Sequence, residues 1–500
     1  MRIFILSIAL AAAFVSPLFA QAEKIRSIMQ AKMQRYGTPG MVATIIRNGK
    51  ISETIAMGFA DRENQKAMHA GTQLPAASLT KLMTAALVMR QVEAGRLDLD
   101  KPVNNYLAPG FYVKSPRGGD SPATLRQLLS HSSGLPASWK GIASKGDSPQ
   151  SLESYLSHGL KAVVSPGEHI IYANDAFSLA GYVAAAAEKE SFAEHAMWTM
   201  VKPLQMKSST FASPWLIKSA NLSRAYGGLM GGTGPGEHND LSAALPAGGL
   251  ISTSPDLARF ALMLLNEGRL DGTTYLQPRS VAELFTMQAK PHERSPMGFG
   301  LGLAIKNEQG RSFVWWDGGI AGAAHRMILH VPTKSGVILM SNLSENASSS
   351  EAANAIFDLL VPPAATPPYK PSRDDLRRHV GNYRFYNTVD PSLWFLRYGI
   401  DLNLTIDGDT LRYKSRLLKE GLLKPIGAGF FRLEASMLAG ADVFFEGETV
   451  YIGHLSATRV PLYASAGAIL TYAALVVLLL LYLLYRLLRA AVRRLRHSAK

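Results

Sequence analysis

The sequence contains no cysteine among its 500 residues. This absence excludes disulfide bonds, a thiol nucleophile and any metal site built from thiolates. Other metal ligands are not indicated either, because no two histidines have the His-x-x-x-His spacing and no cluster of carboxylates is present. We therefore expect neither a metal ion nor an organic cofactor.

Charged residues are also few, at 18% of the chain, whereas hydrophobic residues make up 47%. This composition is typical of a globular chain with some membrane character, and the length is enough for two or three domains. The formal net charge is +14, but part of it lies in a basic C-terminal tail. Because the rest shows no arginine-rich helix and no interleaving of basic and aromatic residues, we do not expect a nucleic-acid partner.

Two apolar runs lie near the ends of the chain. Residues 1–22 are predicted to be a signal peptide, because small residues at Ala20 and Ala22 have the A-x-A spacing of a cleavage site; an uncleaved anchor is the alternative. Residues 464–485 carry no charge and, as a helix, would rise about 33 Å, enough to span a bilayer. The basic tail, residues 486–500, is then cytoplasmic, and in a bacterium the rest faces the periplasm from the inner membrane.

Between these runs, the pattern of strands and helices predicts two folded domains. Residues 23–360 have strand-like runs at both ends and helices between them, which predicts an α/β domain whose sheet is built from its two ends. Residues 361–373 are rich in proline and are predicted to be a linker. Residues 374–462 are β-rich, with a hairpin signal at Asp407-Gly408, and predict a small β-barrel or sandwich.

Some local predictions are specific enough to compare with a structure. They are a helix from Ser78 to about Glu93 that ends at Gly95, a helix over residues 258–265 capped by Asp256 or Ser254, and one strand over residues 299–306.

The segment Ser78-Leu79-Thr80-Lys81 is the most informative motif, and it is the one Ser-x-x-Lys in the chain. At the start of a helix this spacing places the serine and the lysine on one face. The amine can then take the proton of the hydroxyl, which is a weak nucleophile otherwise. The helix N-terminus also supplies backbone N–H groups for a developing oxyanion. An N-capping serine followed by a solvated lysine is the simpler alternative.

A second candidate is Tyr172, in the segment Tyr172-Ala173-Asn174 before an alanine-rich helix. A phenol beside a cationic lysine can act as a base and then return the proton to a leaving group. An ordinary half-buried tyrosine is the alternative.

Together, five segments resemble the β-lactamase-related, penicillin-recognising serine hydrolases over roughly residues 23–360. This family includes class C β-lactamases, D-Ala-D-Ala carboxypeptidases, D-aminopeptidases and carboxylesterases. The segments are the Ser78 motif with its continuation to Val103, residues 124–135 (TLRQLLSHSSGL), Pro166-Gly167-Glu168 with Tyr172-Ala173-Asn174, residues 247–253 (AGGLIST) and residues 298–302 (GFGLG).

The resemblance implies a fold and a set of roles. The fold is a β-lactamase/transpeptidase-like antiparallel sheet flanked by helices with a helical insertion, here followed by the barrel-like domain and one transmembrane helix. Ser78 is implied to attack the carbonyl, with Lys81 and Tyr172 sharing the acid and base roles. Asn174 is implied to bind the substrate amide or the Lys81 amine. His131 is implied to belong to a structural turn.

The third family motif departs from the pattern. The family usually has Lys-Thr-Gly or His-x-Gly on a strand that lines the site, and here Trp316 stands at the position of the lysine or histidine. Gly318 and Gly319 follow, and the N–H groups of Gly319 and Ser78 would form the oxyanion hole. A tryptophan cannot pair with a substrate carboxylate, which disfavours β-lactams and peptides ending in D-Ala. Arg326 on the next strand is a possible replacement cation, or faces solvent.

These observations predict a membrane-anchored serine hydrolase that cleaves a small ester, amide or peptide substrate through an acyl-enzyme. A β-lactamase or D-Ala-D-Ala carboxypeptidase is the second interpretation. A penicillin-binding protein or sensor that is acylated without turnover is the third.

Overall fold

The computed structural model describes residues 20–228, 231–308, 310–365, 367–385, 401–415, 418–434 and 441–498. The chain divides near residue 368 into two compact units. Most of the predicted signal peptide, residues 1–19, lies outside the described residues, and the region described begins within a helix, α1, at residues 20–36.

The first unit combines long strands at its two ends with helices between them. Its further helices are α2 Thr80–Glu93, α3 Leu125–Leu129, α4 Leu152–Leu156, α5 Asn174–Ala186, α6 Phe192–Ala196, α7 Leu245–Gly248, α8 Ser254–Leu265, α9 Pro278–Leu284 and α10 Asn346–Leu360. Its strands are β1 Gly40–Arg47, β2 Lys50–Asp61, β3 Lys66–Ala67, β4 Leu74–Pro75, β5 Val113–Lys114, β6 Leu160–Lys161, β7 Ala225–Gly228, β8 Gly231–Gly236, β9 Ile251–Ser252, β10 Arg269–Leu270, β11 Thr273–Thr274, β12 Met297–Phe299, β13 Ala304–Glu308, β14 Arg311–Ile320, β15 Ala323–His330 and β16 Ser335–Ser341.

An eight-stranded antiparallel sheet joins the two ends of this unit, in the order β12-β13-β14-β15-β16-β1-β2-β3. Strand β1 pairs with β16 from Met41 opposite Ser341 to Ile46 opposite Gly336. Both strands are fully or almost fully buried, as expected for β-branched and aliphatic runs covered on both faces. The predicted α/β class and the sheet built from two chain ends are confirmed.

Each face of the sheet has its own apolar core. On one face, Ile25 and Met29 of α1 and Ile356 and Phe357 of α10 pack against inward residues of the central strands. On the other face, α2, α5 and α8 form the larger core with the opposite side chains of the same strands. Alternation of side chains along each strand produces these two layers. The larger core holds the start of α2, directly after the turn that carries Ser78.

Two local predictions differ from the structure. Helix α8 begins at Ser254, and its cap is the side chain of Thr253, which accepts from the N–H of Asp256. The strand predicted over residues 299–306 is instead a hairpin of β12 and β13. Gly302, at φ +81°, allows the turn, and its N–H donates to the Leu129 carbonyl.

The second unit is a closed antiparallel barrel of eight strands. They are β17 Gly381–Phe385, β18 Asp401–Asp407, β19 Thr410–Ser415, β20 Lys419–Gly427, β21 Phe430–Leu433, β22 Asp442–Glu446, β23 Thr449–Ile452 and β24 Leu455–Val460. The barrel closes where β17 pairs with β24. Alternating buried side chains such as Leu402, Leu404, Leu411 and Tyr413 fill the interior. Of the predicted barrel or sandwich, the structure shows the barrel, preceded by a short helix, α11, at Arg373–His379.

The last element is helix α12, Ala466–Ser498. Within it, Gly467–Arg489 is long and apolar enough to cross a membrane, and its large apolar side chains are exposed.

Candidate active site

The backbone that carries Ser78 is held in an unusual conformation. Ser78 lies in a single 3-10 turn, Ala77–Leu79, that leads directly into α2. Ala77 has φ +49°, in the left-handed region that alanine seldom adopts. Such strain persists only where the surroundings fix it. Here the pairing of β4 with β9 fixes the approach, and the Ala76 N–H donates to the Leu250 carbonyl at 2.7 Å.

Lys81 is fully buried beneath Ser78, one helical turn along α2. Its Nζ lies 3.1 Å from Ser78 Oγ, 2.9 Å from Asn174 Oδ1 and 2.7 Å from the carbonyl oxygen of Ala247. Burial lowers the pKa of Lys81 well below its usual range, because it removes the ammonium from water.

The neutral form of Lys81 fits these three partners. Asn174 Oδ1 and the Ala247 carbonyl oxygen can only accept hydrogen bonds, so each accepts from one of the two N–H groups of a neutral amine. The lone pair is then directed at the Ser78 hydroxyl, which can donate to it. This arrangement can take the serine proton directly.

Tyr172 approaches the same hydroxyl from the other side. Its OH lies 2.6 Å from Ser78 Oγ. Burial raises the pKa of Tyr172 above its usual value, and the Asp317 carboxylate raises it further, against a lowering effect of the bond to Ser78. The phenol is therefore protonated, and it is suited to donate a proton or pass one on.

The turn around His131 supports the Tyr172 segment from below. The His131 carbonyl accepts from the Ile171 N–H at 2.8 Å, and its Nδ1 accepts from the Ala173 N–H at 3.2 Å. The imidazole also packs against Tyr172, with ring centroids 4.6 Å apart. His131 is buried and contacts Tyr172 and its neighbours, which is the placement that the resemblance implied.

Asn174, the first residue of α5, joins two parts of the site. Its Oδ1 accepts from Lys81, and its Nδ2 donates to the Ser138 carbonyl at 3.1 Å. The sequence analysis missed both Ser138 and Ala247, because each contributes a backbone carbonyl that no side-chain pattern reveals. The AGGLIST segment that contains Ala247 was singled out only through the family resemblance.

Strand β14 forms the remaining wall. Trp316 is 6% exposed, and its ring packs on those of His131 and Tyr172, with centroids 5.6 and 6.0 Å away. A Cβ on Gly318 would lie 2.5 Å from the Ala76 carbonyl oxygen, so only glycine allows β14 to approach the serine turn this closely. Gly319 follows, and a Cβ there would lie 2.8 Å from Asn346 Oδ1.

Arg326 does not face the site or the solvent. It is a residue of β15, lies opposite Asp317 of β14 and is 5% exposed. Its guanidinium forms two bonds of 2.6 Å to the Asp317 carboxylate and one of 2.9 Å to Asn354 on α10. Successive side chains of a strand point to opposite faces of the sheet, so the ion pair of Asp317 lies on the face opposite Trp316. The suggestion of a replacement cation, and that of a solvated arginine, were both wrong.

The structure thus brings Ser78, Lys81, Tyr172 and Asn174 into one hydrogen-bonded group, with Trp316 and Gly318 against it. Among the described residues, no group of three or more histidine, aspartate or glutamate side chains could hold a metal ion. The chemistry that the group can perform is proton transfer to and from a serine hydroxyl.

Comparison with known proteins identifies the family. The model of the Beta-lactamase family matches residues 25–360, more than half of the chain, and the chain belongs to this family. Its members are typically serine hydrolases. The resemblance drawn from the five segments is therefore confirmed.

Individual relatives are more distant. Protein flp of Staphylococcus aureus (strain MW2) is 28% identical over 195 residues, which is 38% of each chain. The D-alanyl-D-alanine-carboxypeptidase/endopeptidase AmpH of Escherichia coli (strain K12) is 29% identical over 195 residues, 38% of this chain and 48% of that one. The chain thus matches less than half the length of these relatives. The octameric penicillin-binding protein homologue from Pyrococcus abyssi has the same fold, with a TM-score of 0.61 at 21% identity, covering 88% of this chain and 100% of that one.

Proposed function

We propose that this chain is a serine hydrolase that cleaves ester or amide bonds through an acyl-enzyme on Ser78. One observation carries the proposal: Ser78 Oγ lies within hydrogen-bond distance of both the Lys81 amine, at 3.1 Å, and the Tyr172 phenol, at 2.6 Å. A base and an acid thus converge on one nucleophile, the arrangement that acyl transfer requires.

The proposed reaction has two stages. Ser78 Oγ attacks the substrate carbonyl while its proton passes to the Lys81 amine, and the N–H groups of Ser78 and Gly319 stabilise the oxyanion. The proton then returns through Tyr172 to the leaving alcohol or amine as the C–O or C–N bond breaks. In the second stage water attacks the carbonyl of the acyl-enzyme, and the bond between Ser78 Oγ and the acyl carbon breaks to release the acid. The same groups transfer the water proton to Ser78 Oγ.

Trp316 favours substrates without a carboxylate beside the scissile bond. An indole presents an apolar face where the family usually has a cation, and Arg326 is bound to Asp317 on the far face of the sheet. We therefore propose uncharged esters as the preferred substrates.

A second candidate is a peptidase acting on peptides that end in D-Ala. The 29% identity to a carboxypeptidase/endopeptidase over 195 residues favours it. Trp316 disfavours it, because the carboxylate of such a peptide would lack a partner at that position.

The test compares an activated short-chain ester, a penicillin and a peptide ending in D-Ala-D-Ala, with intact mass and product release as readouts. Wild-type protein in detergent should turn over the ester fastest, and Ser78→Ala should abolish turnover and adduct. A penicillin adduct that is released quickly would instead indicate a β-lactamase or peptidase. An adduct that persists, with no ester turnover, would indicate a penicillin-binding protein or sensor. Failure of every substrate to modify Ser78 would contradict the proposal.

We further propose that α12 anchors the enzyme in the bacterial inner membrane, with the catalytic unit in the periplasm. The apolar length of Gly467–Arg489 supports a span. The arginines that follow it support a cytoplasmic tail.

A further inference from the structure

A buried histidine lies directly behind the turn that carries Ser78. His325, on β15, is fully buried and belongs to none of the family segments described above. Its Nε2 lies 2.7 Å from the carbonyl oxygen of Pro75, and its Nδ1 lies 3.3 Å from the backbone nitrogen of Ser341. Pro75 is three residues before Ser78.

These two partners determine which tautomer the His325 imidazole adopts. The Pro75 carbonyl can only accept a hydrogen bond, so Nε2 carries the proton. The Ser341 N–H can only donate, so Nδ1 is unprotonated and accepts. A second ring proton would point at the Ser341 N–H. Burial lowers the pKa of His325 to about 4, so the ring is neutral at neutral pH.

The bond to Pro75 completes the fixation of one peptide group. The same peptide unit donates its Ala76 N–H to the Leu250 carbonyl at 2.7 Å. The plane between residues 75 and 76 is therefore held at both ends, by the His325 ring on one side and the AGGLIST segment on the other. Ala77, at φ +49°, follows Ala76 directly. Releasing either end would let this strained residue relax, and Ser78 would move with it.

His325 also contacts the opposite wall of the site. It is paired with Gly318 across β14 and β15. A Cβ on Gly318 would lie 3.3 Å from His325 Cδ2 and 2.5 Å from the Ala76 carbonyl oxygen. The His325 residue thus contacts both the serine turn and the strand that supplies the Gly319 N–H.

We propose that His325 is a positioning residue that holds Ser78 in register with the oxyanion donors through its Nε2–H bond to Pro75. This inference rests on the proposed acyl-enzyme function. It predicts an effect on the rate of serine acylation rather than on substrate binding, because His325 acts behind the turn. A misplacement of about 1 Å is enough to reduce a rate by about 100-fold.

Two substitutions separate the two hydrogen bonds. The amide of His325→Gln reaches the position of Nε2 and can donate to Pro75, whereas His325→Asn reaches only the position of Nδ1 and can accept from Ser341. Both variants are polar and smaller than or similar to histidine. His330→Asn is the matched control, because His330 is a buried histidine on the same strand whose Nδ1 bonds the Thr333 hydroxyl at 2.8 Å.

The experiment uses the full chain in detergent and measures the rate at which a fluorophosphonate labels Ser78, together with kcat and KM for the ester and the Tm. We expect His325→Asn to lower the labelling rate and kcat by about 10- to 100-fold with KM within about threefold. His325→Gln should stay within about threefold of wild type, and His330→Asn should match wild type. The inference would be overturned if His325→Gln lowered the labelling rate as much as His325→Asn, or more. Wild-type labelling rates in both variants would overturn it as well. If the wild-type protein is not labelled at Ser78, the proposed function fails instead.

Discussion

At the scale of single residues, the proposed mechanism makes the protonation state of Lys81 decide whether Ser78 can act as a nucleophile. The amine is fully buried, and burial favours its neutral form. A base whose pKa is lowered accepts a proton at correspondingly lower pH. The reactive form of the site is therefore present above the pKa of Lys81 and is lost as the pH falls through it.

This argument predicts a pH profile and a substitution effect for Lys81. The ester kcat/KM should rise with pH to a plateau that begins well below 10.4, the usual pKa of lysine. Lys81→Arg should lower kcat by about 10²- to 10⁴-fold, because a guanidinium stays protonated and cannot accept the serine proton. Steady-state kinetics from pH 5 to 10 measure both effects, with Lys202→Arg, on an exposed lysine, as the control. A Lys81→Arg enzyme with wild-type kcat would show that Lys81 is not the base.

At the scale of elements, the sequence predicts what depends on neighbours along the chain. The helix after Ser78, its end at Gly95 and the hairpin of β18 and β19 around Asp407-Gly408 all follow from local patterns. The hairpin of β12 and β13 does not follow from local patterns. It forms where Gly302 packs closely against α2, and this contact joins segments far apart in sequence. The roles of the Ala247 and Ser138 carbonyls could not be predicted for the same reason, because each contacts a residue far away in sequence. The burial of Arg326 against Asp317 depends on strand register, which the sequence alone leaves open.

The close approach of β14 to the serine turn makes Gly318 a point of sensitivity. We expect Gly318→Ala to destabilise the chain by about 1–3 kcal/mol through overpacking. It should also lower the ester kcat/KM at least about tenfold, because the added methyl would meet the Ala76 carbonyl. Chemical denaturation and kinetics are the measurements. Gly228→Ala is the control, since a Cβ at Gly228 meets nothing within 4 Å, and an equal effect of the two changes would refute the steric argument.

In the second unit, α11 ends in a histidine, His379, that should make this unit sensitive to acid. The His379 ring stacks on Phe445 with centroids 3.9 Å apart, and burial together with the positive charge of Arg459 lowers the pKa of His379 to about 4. The unfolded chain, with a histidine pKa near 6.5, binds protons first as the pH falls. The stability that neutral His379 contributes is thus full above about pH 6.5 and is lost towards pH 4.

Hydrogen exchange of the β22 amides, corrected for intrinsic rates, should therefore show lower protection at pH 5 than at pH 7. His379→Phe should reduce this difference, because phenylalanine keeps the stacking and does not titrate. His454, whose pKa is also lowered to about 4 by burial, accounts for a remaining part. His158→Phe, on an exposed histidine of the first unit, should leave the difference unchanged. Unaltered pH dependence in His379→Phe would contradict the assignment.

At the scale of the whole molecule, the proposed catalytic group and the proposed membrane anchor lie in different parts of the chain. Ser78, Lys81, Tyr172 and Asn174 all lie in the first compact unit, whereas α12 belongs to the second. The 33 residues of α12 would extend about 50 Å as a helix, longer than the ~30 Å hydrocarbon core. As the proposed anchor, it is long enough for its charged end to reach beyond the bilayer while the apolar part spans the core.

A chain that stops at Pro461 separates these two functions. The full-length protein should stay in the membrane pellet after an alkaline carbonate wash, and the shortened protein should be soluble with the ester kcat/KM within about twofold of the full-length value. The physical reason is that removal of α12 deletes the apolar span, Gly467–Arg489, and leaves the hydrogen bonds around Ser78 untouched. If the shortened protein remains in the pellet, the N-terminal apolar run is an uncleaved anchor, because α12 can no longer hold it there. If the shortened protein is soluble but inactive, the independence of the catalytic group from the C-terminal helix is wrong.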